Sequence, residues 1–509
     1  MTINDQMRGL IFDNFEFNPT QEQQNAVKLM SDFLFDTNRE TVFVLKGYAG
    51  TGKTSLVGAL VRALDQLQQR TVLMASTGRA AKVFAMHTGH TAYTIHKRIY
   101  RQKAFTGEMS DFLQGVNLLK GALFIVDEAS MIANDGLGGS PFGTGRLLDD
   151  LIHFVYSGEG CRLMLVGDTA QLPPVGEADS PALSRIMLGG YGLEVVEITL
   201  TQVVRQLTDS GILWNATMLR RLIADEDFGA FPKLRLTSDV VNMPGSELIE
   251  ALEQAYYECG QDETIVVTRS NVRANAFNQG IRGRIFYMDE ELSGGDRVII
   301  VKNNYFWVKN DEQDDRMKRA GSMKSPMVVD EMKGMHGDGM TMDFIANGDM
   351  AVVRRFRNER EEHGFRFADV TLTFPDFNDV EVDATIILDT LNSEAPALTR
   401  QQQEALFQHV WDDYPELTTK HDRMKAVKED PYFNALQVKY GYAVTCHKAQ
   451  GGQWQRVFVD QGFVTKDMFG PDYFRWLYTA ITRATETVYL VNWPKEELDD
   501  ESRCFVENN

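Results

Sequence analysis

Short apolar runs alternate with helix-length amphipathic stretches over the first two hundred residues. Thr41–Leu45, Thr71–Ala75, Ala122–Val126 and Arg162–Val166 are rich in Val, Leu, Ile and Met and carry almost no polar alternation. Runs of this kind, separated by helical segments, predict a parallel sheet covered on both faces. A second series begins near Val195–Leu200, continues at Thr264–Thr268 and resumes at Gly441–Thr445, Arg456–Val459 and Thr487–Val491. An insert beginning near Asp296 separates its two parts. There Arg297–Val301, Met350–Arg355, Phe365–Thr373 and Val380–Leu388 predict a small β-domain, and Gln401–Asp412 a helix. Asn310–Asp338 is rich in charge, Met and Gly without a clear period, and reads as a mobile loop.

Composition narrows this picture. A chain of 509 residues predicts three or four structural units. No run of 18 apolar residues exists, so no membrane-spanning helix is expected, and the N-terminal segment with Asp5, Asp13 and Glu16 does not read as a secretory signal. Cys161, Cys259, Cys446 and Cys504 form neither a CxxC pair nor a zinc spacing, which suits a reducing, cytoplasmic location. The net charge of −20 argues against a broad nucleic-acid surface, yet the charge is uneven. Residues 66–107 contain no Asp or Glu, while Arg70, Arg79, Lys82, Lys97, Arg98, Arg101 and Lys103 all fall there. An acidic protein can still own one basic track, and composition alone leaves a solvated basic face equally open.

The strongest chemical signal follows the first apolar run. Gly47-Tyr-Ala49-Gly50-Thr51-Gly52-Lys53-Thr54 matches GxxxxGK[ST] between a predicted strand and the helical stretch Ser55–Leu67. This is the context of a phosphate-binding loop: glycines let backbone N–H groups curve around a phosphate, and the helix N-terminus favours negative charge. Lys53 then reaches the β- and γ-phosphates of ATP, and Thr54 ligates Mg²⁺. Asp127 and Glu128 end the Ala122–Val126 run. A carboxylate there holds Mg²⁺ opposite Thr54, and its neighbour orients and deprotonates water. In Gly167-Asp168-Thr-Ala-Gln171-Leu-Pro-Pro-Val175, Gln171 is suited to bond the attacking water and the γ-phosphate, and the prolines stiffen the turn.

The order of motifs resembles the superfamily 1B helicases of the RecD and phage Dda type. The matching segments are Thr20-Gln-Glu-Gln23, GYAGTGKT (47–54), Ala75-Ser-Thr77-Gly-Arg79-Ala-Ala-Lys82, Thr94-Ile-His96, DEAS (127–130), GDTAQLPPV (167–175), LTQVVR (200–205), Tyr442-Ala-Val-Thr445-Cys-His447-Lys448-Ala-Gln450-Gly451 and LYTAITRA (477–484). They span roughly residues 17–492. Ser76 stands where RecD-type chains often carry Pro, and Gln453 replaces an acidic residue common after QG.

The resemblance implies an α/β fold of two RecA-like P-loop NTPase domains. It implies a first domain at 1–197 with a hairpin insertion at 97–120, and a second at 198–295 and 435–509. An SH3-like β-domain is then inserted at 296–434. It implies that Gln23 reads adenine, that Ser55, Gln450 and Gly451 join the loop at the nucleotide, and that Arg205 and Arg483 are fingers stabilising the transferring phosphoryl group. Asn347-Gly-Asp349 resembles a segment near the small β-domain of RecD-type enzymes. Thr77, Arg79, Thr94 and His96 on the first half, and Thr268, Arg269, Asn271, Thr445, His447 and Lys448 on the second, are the implied single-strand contacts. A hairpin tip carrying Phe105, with Tyr100 as second candidate, is the implied wedge at a single-strand/duplex junction. The implied activity is ATP-driven 5′-to-3′ movement on single-stranded DNA with duplex unwinding, by a working monomer. An RNA-directed enzyme of the superfamily and an ATP-gated binding module without unwinding remain open.

Overall fold

The computed structural model describes residues 2–102, 112–135, 143–203, 210–304, 306–308, 342 and 344–499. The chain divides into two compact units, residues 1–287 with 442–509, and residues 288–441. None of the helices among the described residues is long and apolar enough to cross a membrane.

The first unit contains two parallel sheets, each the centre of one lobe. The strands of the first are β1 (Thr41–Gly47), β2 (Thr71–Ala75), β3 (Ala92–Thr94), β6 (Leu123–Asp127), β7 (Arg162–Gly167) and β8 (Glu194–Leu200); a separate pair, β4 (Tyr100–Gln102) and β5 (Phe112–Gln114), lies between β3 and β6 in the chain. The sheet order is β3-β2-β6-β7-β1-β8, and every pairing is parallel. Its central strands are buried nearly end to end, as the unalternated runs predict. All carboxyl ends of a parallel sheet share one edge, so the loops after β1, β2, β3, β6 and β7 are brought together there.

Val195–Leu200 does not open the second series. It is β8, paired with β1 from Thr41↔Glu194 to Gly47↔Leu200. The expected division at 197/198 therefore falls inside a strand of the first sheet. The apolar run marked a strand correctly, but a run carries no information about which sheet receives it. The second sheet has the order Val240–Met243, Ala484–Val491, Trp454–Asp460, Thr264–Thr268, Ala443–Thr445, again wholly parallel. Its edge strand Val240–Met243 was not expected.

Residues 288–441 form the other unit. Arg297–Ile300, Met350–Glu362, Phe365–Phe374, Val380–Ile387 and Leu436–Tyr440 close into a small five-stranded barrel. Leu436–Tyr440 completes it by pairing antiparallel with Val298–Ile300 and parallel with Ile386–Ile387, so the insert extends past the expected end at 434. This strand runs almost directly into Ala443–Thr445, with Gly441 close to the junction. A Cβ at Gly441 would lie 3.2–3.3 Å from Met350, Arg297 and Val298, so a side chain there would require these neighbours to shift by a few tenths of an ångström. The helices Arg400–Asp412 and Lys420–Glu429 place Leu406, Val410 and Val427 in one cluster with Phe367 and Ile387. The Asn347-Gly-Asp349 segment is a turn entering the barrel: Asp349 accepts from the Ala346 amide at 2.7 Å, and Gly348 has φ +95°. The segment 310–338 lies outside the described residues.

Candidate nucleotide and nucleic-acid sites

The loop after β1 turns sharply enough to need glycine. Gly50 and Gly52 have φ of +76° and +79°, and a Cβ at Gly47 would meet Lys53 Cγ and Thr51 Oγ1 at 2.9 Å. The helix Lys53–Gln66 starts directly at the lysine, with Thr54 and Ser55 in its first turn and no acidic residue beside them. Lys53 Nζ donates to the Gly47 and Tyr48 carbonyls at 2.7 and 3.0 Å, and Thr51 Oγ1 donates to Tyr48 O at 2.8 Å. Gln23 is buried against this loop. Its Nε2 donates to Thr51 O at 3.0 Å and its Oε1 accepts from the Thr20 amide, so it ties the helix Gln21–Phe35 to the phosphate loop.

Asp127 is the last residue of β6. Burial and, second, the neighbouring Glu128 charge push its carboxyl up to about 7, against the pull of Lys53. Glu128 adopts a left-handed conformation (φ 51°, ψ 40°) unusual for a side-chain-bearing residue. Such strain persists where surrounding contacts over-determine it. Here Ser76 Oγ donates to Glu128 O at 2.8 Å, and the Glu128 amide donates to Asp127 Oδ1 at 2.9 Å. After β7, Gln171 is buried, and its Oε1 has no hydrogen-bond partner among the described residues. Leaving a buried acceptor unpaired costs about 1–3 kcal/mol, a cost met when a substrate group or water donates to it. Thr54 and Asp127 are hard oxygen donors. That donor set fits Mg²⁺, which takes one or two protein oxygens together with phosphate oxygens.

The second lobe reaches this wall through the helix Pro471–Ile481 and the turn after Ala449. Tyr478 is fully buried; its hydroxyl donates to Asp168 Oδ2 at 2.6 Å and accepts from the Ala49 amide of the phosphate loop at 2.9 Å. Leu172 is held on both backbone groups, its N–H by Thr479 Oγ1 at 3.0 Å and its carbonyl by Gln450 Nε2 at 2.7 Å. Burial raises the Asp168 carboxyl, while Lys53, the Tyr478 hydroxyl and Arg483 pull it down. The lysine of one lobe and the arginine of the other thus act on one carboxylate. Arg483 is buried and donates to the Thr479 and Gly452 carbonyls at 3.0 and 3.1 Å. Arg205 lies outside the described residues. Gln450 is committed to Leu172, and Gly451 packs with Thr77 Oγ1 and Ala80 Cβ each 3.0 Å from where its Cβ would stand. Tyr478, Thr479, Asp168 and Ser76 were not assigned these roles from sequence; the tyrosine and threonine lay in a matched motif, but nothing local marked their partners.

The implied strand contacts gather at the carboxyl edges of the two sheets. Thr77 and Thr94 follow β2 and β3 and cap the helices Gly78–Thr88 and Ile95–Ile99, accepting from the Ala80 and Lys97 amides at 3.2 Å. Thr268 and Thr445 are neighbours in register on the second sheet. Thr268 is buried with its hydroxyl on Ser270 O; Asn271 begins the helix Asn271–Arg284. Neither this helix nor Gly78–Thr88 has an acidic residue in its first turn, which leaves both N-termini favourable to phosphate. Arg269 lies over the Tyr473 and Trp476 rings at 5.4 and 5.7 Å. Arg79 stacks 4.3 Å over Trp454 and donates to Gln453 O at 2.9 Å, joining the two lobes. His447 is exposed beside Lys448. Burial pushes the His96 imidazole down to about 4, so it is neutral near pH 7. The expected hairpin exists at its base, where Tyr100↔Gln114 and Gln102↔Phe112 pair antiparallel; Phe105 and the tip lie outside the described residues. Tyr100, the second wedge candidate, is buried and donates to Asp150 Oδ2 at 2.6 Å, so it is a core anchor of the hairpin instead.

An AAA domain model matches residues 19–233, and a UvrD-like helicase C-terminal domain model matches residues 440–491. An uncharacterized protein of Methanocaldococcus jannaschii is 22% identical over 96% of this chain and 39% of its own length. The ATP-dependent RecD2 DNA helicase of Deinococcus radiodurans is 29% identical over 52% of this chain and 34% of its own. The chain thus spans between a third and two fifths of the length of these relatives. A crystal structure of Bacteroides Pif1 bound to ssDNA aligns over 97% of this chain and 96% of that one, with 15% identity and a TM-score of 0.43. Each lobe thus carries a matched family model, that of an AAA domain on the first and that of a UvrD-like helicase C-terminal domain on the second, and the chain is similar to RecD2 over half of its length.

Proposed function

We propose that this protein is an ATP-driven DNA motor that moves 5′-to-3′ along single-stranded DNA and unwinds duplex ahead of it. The observation that carries the reading is the bridge made by Tyr478 of the second lobe, whose hydroxyl donates to Asp168 and accepts from the Ala49 amide of the phosphate loop. A nucleotide bound at that loop therefore sits where the relative position of the lobes is set.

In this reading the amides from Gly47 to Ser55 cradle the phosphates, and Lys53 neutralises charge on the β- and γ-oxygens. Thr54 and Asp127 would hold Mg²⁺, which would supply charge neutralisation for the phosphates. Glu128 takes the proton of the attacking water. Gln171 directs its unpaired buried oxygen to that water, and Arg483, with Arg205, stabilises the charge that develops on the transferred group. Loss of the γ-phosphate removes contacts that only the closed seam makes. The Leu172 clamp carries the change to Thr479 and Gln450, and from there to the strand-facing turn 445–453. Grip then alternates between the lobes, a population shift driven by the nucleotide. Small hydroxyls and a neutral His96 suit contacts that are made and broken each cycle.

The test is unwinding of otherwise identical duplexes carrying a 5′ or a 3′ single-stranded tail, with Lys53→Ala as control. Opening of the 5′-tailed substrate alone, dependent on ATP and lost in the control, is expected. Equal opening of both tails removes the polarity; opening by the control removes the motor.

A further inference from the structure

The carboxyl edge of the second sheet carries a feature that the implied contacts do not use. Thr445, Thr268 and Asp460 lie in one row, because Thr268 pairs in register with Thr445 on one side and Asp460 on the other. The chain leaves Asp460 through Gly462, whose φ of +65° is left-handed, and presents Phe463 with 82% of its surface exposed. Single exposed apolar side chains are ordinary on protein surfaces. This one emerges from the same strand row as the implied strand contacts. Next to Gly462, with Cγ and Nε 4.0 Å from where a Cβ would stand, Arg273 is fixed by Nε and Nη2 donating to the Asp460 carboxylate at 2.8 and 2.7 Å, and its side chain remains 45% exposed. Single-strand sites combine aromatic faces that stack bases with positive charge along the backbone track.

Resting on the reading that this edge follows a single strand, we infer that Phe463 is a base-stacking platform, taking a nucleobase of single-stranded nucleic acid on its ring. Stacking is tolerant of base identity because every base has a π-face, so the site adds grip without sequence preference. The contact is also independent of phosphate charge, unlike the arginine and helix-terminus contacts around it.

The experiment is fluorescence anisotropy of a labelled oligo-dT and of an abasic oligonucleotide of equal length and charge, against the wild-type chain, Phe463→Ala and Phe463→Tyr. Phe463→Ala is expected to weaken oligo-dT binding about 5–150-fold, the range for loss of one stacked base. Phe463→Tyr restores it. On the abasic strand wild type and Phe463→Ala bind alike, and turnover of ATP without nucleic acid is the same in all three. Equal binding of oligo-dT by wild type and Phe463→Ala overturns the proposal while leaving the strand reading intact, and assigns the exposed ring to another kind of partner. Equal weakening on both oligonucleotides also overturns it, since the ring would then act without a base. Failure of the wild type to bind either strand overturns the strand reading itself.

Discussion

The nucleotide seam and the strand-facing edge are built from the same sheets by opposite means. At the seam, polar groups are buried and committed to one another across the lobes: Tyr478 to Asp168 and Ala49, Leu172 to Thr479 and Gln450. At the edge, hydroxyls such as Thr77 and Thr94 cap their own helices, and His447 and Phe463 stand exposed. A reaction needs charge fixed in a dry place before it develops. A moving grip needs contacts cheap enough to release. Substitutions at the seam are therefore expected to change turnover steeply, and those at the edge to grade affinity.

The largest effect is expected at the seam's strained carboxylate. Glu128→Gln keeps shape and removes the proposed base, and turnover should fall about 10²–10⁴-fold while ATP binding persists. Turnover and nucleotide affinity measured on the same preparation check this. Wild-type turnover would assign the base elsewhere.

Tyr478→Phe comes next. It deletes one hydroxyl and leaves the buried ring, so the packing is kept. A hydrogen bond to a carboxylate contributes about 1.5–3 kcal/mol, equivalent to roughly 10–150-fold in kcat/KM for ATP. An unchanged kcat/KM would reduce the contact to packing, and the seam would lose its distinction from the edge.

These two residues also mark how far the sequence could be read. The phosphate loop, Asp127 and Gln171 were legible because their requirements are local: glycines at positive φ, a carboxylate at a strand end, a stiff turn. Tyr478 was not, since its partner Asp168 is 310 residues earlier. Ser76 was read only as a departure from Pro, whereas its hydroxyl reaches Glu128 O, 52 residues away. In sequence Tyr100 is the second aromatic near the hairpin tip able to stack on a base pair; in the fold it is buried, with its hydroxyl donating to Asp150, 50 residues on. Likewise β8 and Leu436–Tyr440 were sequence runs whose sheet is settled by pairing alone.

Ser76 tests where seam and edge meet. It precedes Thr77 at the edge, and its hydroxyl bonds the backbone carbonyl of Glu128 at the seam. Ser76→Ala removes about 0.5–1.5 kcal/mol of hydrogen bonding, roughly 2–12-fold. The loss is expected in turnover stimulated by single-stranded DNA, with basal turnover reduced less. Equal reduction of both would make the bond a brace for Glu128 and nothing more.

The smallest effect is expected at His96, and it sharpens the account of the edge. Burial lowers this imidazole from an ordinary 6.5 to about 4, so the folded protein favours the neutral ring. The sign follows: the associated stability is complete above pH 6.5 and is lost as pH falls toward 4, amounting to about 1–2 kcal/mol at pH 5. His96→Gln removes that titration, and its melting temperature should fall less than wild type's between pH 7 and pH 5. Strand affinity between pH 8 and pH 6 should change equally in the two proteins, because a neutral ring gains no charge there. If wild type instead tightens on oligo-dT as pH drops to 6 and His96→Gln does not, the imidazole meets a phosphate as a cation. The edge would then hold the strand at that point by fixed charge, as the seam holds its nucleotide.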